Sequence, residues 1–470
     1  MEIMKTVELF MNWVSLFFLI YLILYTTYLF ASVLIGAFKL YKEEQKSIIR
    51  SQIKHDYYVP ISILVPAYNE EVTIIDSIRS LLELDYRLYE IIIINDGSTD
   101  HTVEKLLQDF DFHKVNRPIH RVLSCQKEKN IYETKVGHID ITLIDKINGG
   151  KGDSLNMGIN ASRFPYFLCI DADSFLQKDS LEKIALPVLE NDHVVAVGGL
   201  IRVAQCVEIK DGEVVGYHLP LHLITSMQVV EYDRSFLASR ILMNQYNGNL
   251  IISGAFGLFK KDVVIACGGY DSHTLGEDME LVVKLHVFCR NNQQPYMICY
   301  EPNAICWSQV PSTLTDLMKQ RRRWYLGLFQ VMMRYSHIFL NFRFGLVSFF
   351  SYMYYLLFEL LSPVIEVFGL ITIVISAMFG LLNIPFMIRF LLLYVLYGIV
   401  LTITAFFQRI YTQHLKVGVF DIIKAIIMCI FEGMFLRYVL SFVRVSAFIG
   451  YRQNKNTWGS MKRMKQGQVR

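Results

Sequence analysis

Phe167-Leu168-Cys169-Ile170-Asp171-Ala172-Asp173 runs four apolar residues straight into two carboxylates. An uninterrupted apolar run of this length reads as a strand buried on both faces, the pattern of parallel sheets. Asp171 and Asp173 fall where that strand should end, and in open α/β sheets ligands sit at the carboxyl ends of strands. On extended backbone, residues i and i+2 point to the same side. Two carboxylates so placed repel one another unless a cation stands between them and a ligand. Oxygen-only donors favour Mg2+ or Mn2+, and Mg2+ commonly combines one or two carboxylates with substrate phosphates. A lone D-x-D is better read as two solvated loop acids, so the surrounding stretches carry the weight.

Upstream, Ile61-Ser62-Ile63-Leu64-Val65 reads as a strand ending in the loop Pro66-Ala67-Tyr68-Asn69-Glu70. Helical apolar spacing follows over 72–82, then a second buried strand, 91–94, closed by Asn95-Asp96-Gly97-Ser98-Thr99-Asp100. Strand, helix, strand, helix predicts a parallel sheet with right-handed crossovers. Gly149-Gly150-Lys151-Gly152-Asp153-Ser154 opens a further helix. A Gly-rich turn with a lysine at a helix N-terminus suits a diphosphate. It is not a P-loop, because the spacing differs and no apolar strand is evident before it.

Downstream, Ser253-Gly254-Ala255-Phe256-Gly257 offers glycine where backbone can approach a ligand closely. Gly276-Glu277-Asp278 begins an apolar-periodic helix. Asp278 there either complements the helix dipole or faces a ligand. The 313–335 stretch is amphipathic and interrupted by Gln320-Arg321-Arg322-Arg323-Trp324. Gln320 and Trp324 lie one turn apart on one face, an amide beside an indole that suits a sugar ring. The same stretch also reads as a basic helix lying on a membrane.

The chain is 53% hydrophobic with a net charge of +3. Residues 13–38 are almost wholly apolar, beyond the ~20 residues that a spanning helix needs. Only Lys5 precedes this run, whereas Lys39, Lys42, Lys46, Arg50 and Lys54 follow it. That order excludes a cleaved signal peptide and sets the following residues in the cytosol. Two further apolar stretches, 349–381 and 390–407, read as one outward and one return span. The first contains Ser362-Pro363 and reads as one kinked helix. Residues 420–449 carry Asp421, Lys424, Glu432, Arg437 and Arg444, which predicts an interfacial or re-entrant segment rather than a free span. Glu359 and Glu366, two helical turns apart, would share a face near Tyr352, Tyr354 and Tyr355. That face would line a hydrated lane, or Glu359 would sit at the headgroups. The eight scattered cysteines, with no metal-type spacing, predict reduced, mostly buried thiols.

Taken together and in this order, the motifs resemble those of membrane-integrated processive family 2 glycosyltransferases, the group of hyaluronan, poly-N-acetylglucosamine and cellulose synthase catalytic subunits. The resemblance runs from about Val59 to Arg463. It implies a GT-A fold, a Rossmann-like nucleotide-sugar-binding α/β domain in the cytosol, joined to transmembrane α-helices. It further implies that Pro66, Ala67, Tyr68, Glu70 and Asp96 hold the nucleotide, with Lys151 near the diphosphate. Asp171 belongs to the D-x-D, and Asp173 ligates Mg2+ or Mn2+. Gly254 and Glu277 bound the substrate, and Asp278 is the acceptor base. Gln320, Arg323 and Trp324 match the Q-x-x-R-W motif that borders the acceptor sugar. Trp458-Gly459-Ser460-Met461-Lys462-Arg463 is similar to the W-G-T-R gating segment of hyaluronan synthases, departing at its third and fourth positions.

The expected organisation is an anchor (1–40), a linker (41–58), the glycosyltransferase domain (59–310), amphipathic interfacial helices (311–342), transmembrane and interfacial helices (343–449) and a basic cytosolic tail (450–470). The expected function is an inverting, processive transfer of glucose or N-acetylglucosamine from a UDP-sugar to a growing polysaccharide at the plasma membrane, in a multi-pass protein. A non-processive transferase acting on a lipid-linked acceptor, and a catalytically silent membrane scaffold, are the alternatives. The lipid bilayer is an expected partner. Nucleic acid is not, and no partner subunit can be read from the chain.

Overall fold

The computed structural model of the 470-residue chain describes residues 2–51, 58–210, 213–382 and 417–449, with parts of 384–404. Its strands are β1 (Ile61–Ala67), β2 (Tyr89–Asn95), β3 (His113–Val115), β4 (Glu128–Val136), β5 (Ile139–Lys146), β6 (Tyr166–Ile170), β7 (Ser174–Leu176), β8 (Val194–Val203), β9 (Val207–Lys210), β10 (Glu213–Tyr217), β11 (Phe256–Lys260) and β12 (Met297–Ser308). Ten of them form one sheet in the order β3-β4-β5-β2-β1-β6-β11-β8-β12-β7, and β9 and β10 form a separate hairpin.

The run β5-β2-β1-β6 is parallel, as expected, with Ile63 beside Ile91 and Leu168. The sheet as a whole is mixed, because β11 pairs antiparallel with both β6 and β8. Apolar composition marks burial but not direction, so the sequence pattern missed that reversal. β5 was missed too. It leads directly into Gly149-Gly150-Lys151, and its polar residues Asp140, Thr142 and Asp145 had masked buried Ile139, Ile141, Leu143 and Ile144.

The two faces of the sheet follow the two-residue period of a strand. Ile61, Ile63 and Val65 pack with Ile74, Ile78 and Leu81 of the Ile74–Leu82 helix. Leu64, Ile92 and Ile94 pack on the other face with Leu155, Met157 and Ile159 of the Lys151–Ala161 helix. Each fully buried Leu or Ile side chain contributes about 1.5–3 kcal/mol by leaving water. Both apolar layers end at the same edge, where the carboxyl ends of β1, β2, β5 and β6 open into loops.

Among the described residues one helix is long and apolar enough to cross a membrane, Leu9–Lys42 within the Glu2–Ser51 helix. A second candidate is the pair Val347–Leu360 and Ser362–Met378, bent by 42° at the break. Pro363 lies in the first turn of its second half, where a missing N–H costs least. Phe18 of the first helix stacks on Phe368 of that pair. The stretch 390–407 lies largely outside the described residues, and Trp458 and the rest of the tail lie wholly outside them.

The bend also breaks the two-turn argument for Glu359 and Glu366. Tyr354 donates to Glu359 at 2.9 Å. Glu366 is taken by Arg437 at 2.6 Å and by Ser362 at 3.2 Å, and it also accepts from Ser441. These are protein partners, so the two acids do not stand as a shared lane. The charges of 420–449 are likewise committed. Arg234 grips Glu432 through two 3.0 Å bonds, Asp421 accepts from Leu219 N–H at 3.0 Å, and Lys424 donates to Leu219 O at 3.0 Å. The Val419–Phe431 helix thus docks on the α/β domain, and the Arg437–Ser446 helix is tied through Arg437 to Glu366 of the Ser362–Met378 helix.

The eight cysteines are free thiols. Cys169, Cys206, Cys289, Cys306 and Cys429 are buried, while Cys267 and Cys299 are only half-buried despite their apolar neighbours.

Candidate active site

Two strand ends are laced together to make the first wall. Asp96 N–H donates to Ala67 O at 2.9 Å. Asn69 adopts a left-handed backbone, φ +55°, which asparagine tolerates because its short amide bonds locally. Its N–H donates to Ser98 Oγ at 2.9 Å, and its Oδ1 accepts from Thr99 N–H at 2.8 Å. Glu70 N–H donates to Thr102 Oγ1 at 3.0 Å, and the buried Glu70 carboxylate accepts from Thr73 Oγ1 at 2.8 Å. Pro66 and Ala67 finish β1, and Tyr68 stands exposed beyond them.

Asp96 is turned inward. Its two oxygens accept from Gly149 N–H at 2.9 Å and Gly150 N–H at 2.8 Å, and the fully buried Lys146 ammonium donates to it. Lys146 also meets Asp153 at 2.6 Å, and Asp153 accepts from Gln126 N–H at 2.9 Å. Asp96 therefore fastens the Gly-rich turn to the end of β2. Sequence reasoning missed Lys146 and Asp153 as site residues, because nothing in local spacing ties them to an aspartate fifty positions away.

The centre is the Lys151 side chain. Gly150, at φ +91°, turns the chain into the Lys151–Ala161 helix, a conformation that favours glycine. Lys151 Nζ meets Asp171 Oδ1 at 2.5 Å, donates to Gly254 O at 3.2 Å and lies 3.8 Å from Glu277 Oε1. Gly254 N–H donates to Asp278 Oδ2 at 3.2 Å, and Asp278 Oδ1 accepts from Met279 N–H at 2.8 Å. A Cβ on Gly254 would stand 2.9 Å from Lys151 Nζ and 3.5 Å from Asp278 Cβ, so any side chain there would displace the Lys151 ammonium. Four sequence motifs thus meet within the reach of one lysine.

The electrostatics follow from burial and crowding. Burial works against the Lys151 charge, but Asp171, Glu277 and Asp278 together outweigh it and hold the ammonium protonated. Burial, with Asp278 adding to it, pushes the Glu277 carboxyl up to about 7, against the pull of Lys151 and Arg323.

Asp171 and Asp173 do not share extended backbone as expected. β6 ends at Ile170, and Asp171-Ala172-Asp173 forms a turn closed by Ser174 N–H to Asp171 O at 3.0 Å. The two carboxylates differ in setting. Asp171 is about one third exposed beside Lys151, whereas Asp173 is buried and accepts from Ser174 Oγ at 3.2 Å.

The second wall is the Leu314–Arg334 helix, capped by Thr313 Oγ1, which accepts from Asp316 N–H at 3.2 Å. Gln320 and Arg321 are buried, and Arg321 pairs with Glu231 at 2.6 Å while lying 4.6 Å over the Trp324 ring. Trp324 is 40% exposed. Arg323 acts electrostatically on Glu277. The helix crosses the 274–278 segment with backbone contact at Gly327 and Gly276, so it packs on the α/β domain as well as presenting Trp324.

A mixed α/β sheet with its polar residues gathered at the strand ends, closed by an acidic helix N-terminus, defines a nucleotide-sugar transferase of the GT-A class. The chain belongs to glycosyl transferase family 2: residues 62–266 match "Glycosyl transferase family 2" and residues 166–407 match "Glycosyl transferase family group 2". A poly-beta-1,6-N-acetyl-D-glucosamine synthase of Staphylococcus epidermidis is 31% identical over 320 residues, 67% of this chain and 66% of that one. Its Staphylococcus aureus counterpart is 32% identical over 288 residues, 61% of this chain and 58% of that one. The aligned part of the chain therefore spans about three fifths to two thirds of the length of these relatives. A mannosyltransferase of Pyrobaculum calidifontis, solved with GDP-Man and Mn2+, shares the fold at a TM-score of 0.50 and 16% identity, over 88% of this chain and 98% of its own.

Proposed function

We propose that the chain is the catalytic polypeptide of an inverting, processive polysaccharide synthase. It transfers N-acetylglucosamine from UDP-N-acetylglucosamine to the end of a growing β-linked polymer and passes that polymer across the plasma membrane. The names of the staphylococcal relatives favour this sugar over glucose. The observation that carries the reading is the meeting of Lys151, Asp171, Gly254, Glu277 and Asp278 at one point beneath the Gln320–Trp324 helix.

The donor's base would lie against the laced loops of Pro66, Ala67, Tyr68, Glu70 and Asp96, and its diphosphate near the Gly-rich turn and Lys151. A divalent metal fits the donor set. The turn offers oxygen ligands only, from Asp173 with Asp171 beside it. Among the described residues no group of three or more His, Cys, Asp or Glu is arranged to hold a metal by itself. That leaves positions for diphosphate oxygens, the usual pattern for Mg2+ and one that Mn2+ shares. Bound there, the ion would neutralise charge building on the leaving diphosphate.

The chain's own residues do the rest. Trp324 and Gln320 hold the terminal sugar of the acceptor by its ring face and hydroxyls. Asp278 takes the proton of the attacking hydroxyl, a role typically worth 10²–10⁴-fold. Gly254 N–H and Met279 N–H fix that carboxylate. One displacement inverts the anomeric carbon, so an α-linked donor gives a β-linkage. The Leu9–Lys42 helix and the bent 347–378 pair, with the return stretch 390–407, would carry the bilayer-embedded part of a multi-pass protein.

The test is the full-length chain in detergent, given UDP-N-acetylglucosamine, UDP-glucose or UDP-glucuronate with Mg2+ or Mn2+. UDP release and a high-mass product cleaved by a β-1,6-hexosaminidase are expected from the first donor. A glycolipid of one or two sugars, or no turnover of any donor, would overturn the proposal.

A further inference from the structure

The part of the Leu314–Arg334 helix beyond Trp324 has no role in the reaction as derived so far. Gly327, Gln330 and Arg334 follow one another at three- and four-residue spacing, so they share one face of this helix, with Tyr335 at its C-terminal end. That face lies along segment 271–280, which carries Asp278. At Gly327 the two backbones touch: a Cβ there would stand 2.8 Å from Gly276 N and 2.9 Å from Gly276 Cα. One turn on, Gln330 Oε1 accepts from Leu275 N–H at 2.9 Å and from the Thr274 hydroxyl at 3.1 Å. Thr274 Oγ1 in turn accepts from Gly276 N–H at 3.3 Å. Arg334 pairs with Asp271, and Tyr335 OH donates to Glu280 Oε1 at 2.7 Å. Asp278 is therefore tied to this helix on both sides.

We propose that Gln330 is a positioning residue for Asp278. Seated beside the Gly327–Gly276 contact, it locks the base to the helix that carries Gln320 and Trp324, so base and acceptor keep a single register through successive additions. The inference rests on the assignment of Asp278 as the base. The chemistry requires an acceptor atom at this point, because Leu275 N–H and the Thr274 hydroxyl both donate to it. Without it the 274–278 segment can drift from the acceptor. Water then competes for the donor. Its oxygen bonds to C1 as the C1–O bond to the diphosphate breaks, its proton goes to Asp278, and UDP leaves with a free sugar as the second product.

The experiment measures kcat, donor KM and the ratio of UDP released to sugar incorporated, in the full-length chain in detergent. In Q330M, which lacks the acceptor oxygen, kcat should fall about 10–100-fold with donor KM within about twofold, because small misplacements of reacting groups cost rate rather than binding. Its ratio should rise above that of wild type. Q330E keeps an acceptor for both donors and should retain most of kcat and the wild-type ratio, a rescue that a merely structural role would not produce. G327A should show the same raised ratio, which keeps the test alive should Q330M fail to fold. Wild-type kcat and ratio in Q330M, or a Q330E as slow as Q330M, would overturn the positioning role. If D278N also turned over normally, the base assignment itself would fall, whereas an inactive D278N beside a normal Q330M would remove only Gln330.

Discussion

Replacing Asp278 by Asn separates chemistry from binding at the residue on which the mechanism depends most. The amide oxygen of Asn can still accept from Met279 N–H, but its NH2 then faces Gly254 N–H and the 3.2 Å bond is lost. That bond is charge-assisted and worth about 1.5–3 kcal/mol, but it lies within the protein and not between protein and UDP, so UDP affinity should weaken by no more than about fivefold. Removing a general base costs far more, 10²–10⁴-fold or about 3–5 kcal/mol in the barrier. The expected result is a kcat lowered at least about 100-fold with UDP affinity nearly intact, read by UDP release at saturating donor and by calorimetric titration of UDP. Glu277 is the one neighbour able to stand in. Burial and the Asp278 charge together push its carboxyl up to about 7; D278N removes the second push, so any residual rate should climb as pH rises toward a midpoint below 7, when Glu277 loses its proton. Adding E277Q should remove that rise. A D278N enzyme within about tenfold of wild-type kcat, with or without Glu277, would refute the base assignment, since general-base losses begin near 10².

Glu277→Gln tests the crowding of carboxylates directly. The folded pKa of Glu277 is raised above its ordinary 4.5, so its contribution to stability is present at low pH and fades as pH rises from 4.5 through about 7. The substitution should therefore raise the unfolding midpoint at pH 8 and change little at pH 4, checked by thermal melts across that range. Arg234→Met should destabilise the docked C-terminal helices by about 3–5 kcal/mol, because it leaves buried Glu432 without its partner. The double variant R234M/E432L should recover most of that loss, measured by protease resistance of the 417–449 segment. Lys146→Met strips buried Asp96 and Asp153 of their shared cation. It should loosen the Gly-rich turn and weaken UDP binding more than tenfold in the same calorimetric assay, an effect on the order of 1.4 kcal/mol or more.

Much of this architecture is local and was readable in the chain. Runs such as Ile61-Ser62-Ile63-Leu64-Val65 and Phe167-Leu168-Cys169-Ile170 declare buried strands, because burial on both faces leaves almost every position apolar. Their acidic and Gly-containing ends mark the edge where the polar side chains gather, and the 314–334 periodicity marks a helix with a polar interruption. Charges spread through 420–449 marked this segment as unlike a free span, and in the structure Glu432 pairs with Arg234 and Asp421 accepts from Leu219 N–H.

What periodicity cannot convey is which distant groups meet. It gives the face of an element but not its partner, its direction in the sheet or the path of a turn. Hence β11 was not seen to run antiparallel, and Asp171 and Asp173 were expected on extended backbone where the chain makes a turn. Asp96 was expected at the nucleotide, and its carboxylate is engaged by Lys146, Gly149 and Gly150. The inward aim of Lys151, the Gly276–Gly327 contact and the grip of Gln330 on Leu275 arise only when segments far apart in sequence are packed together. The sequence by itself determined which residues carry charge and where strands end. Tertiary packing decided which of those charges face one another, because the energy of such contacts depends on separation in space, and separation along the chain does not report it.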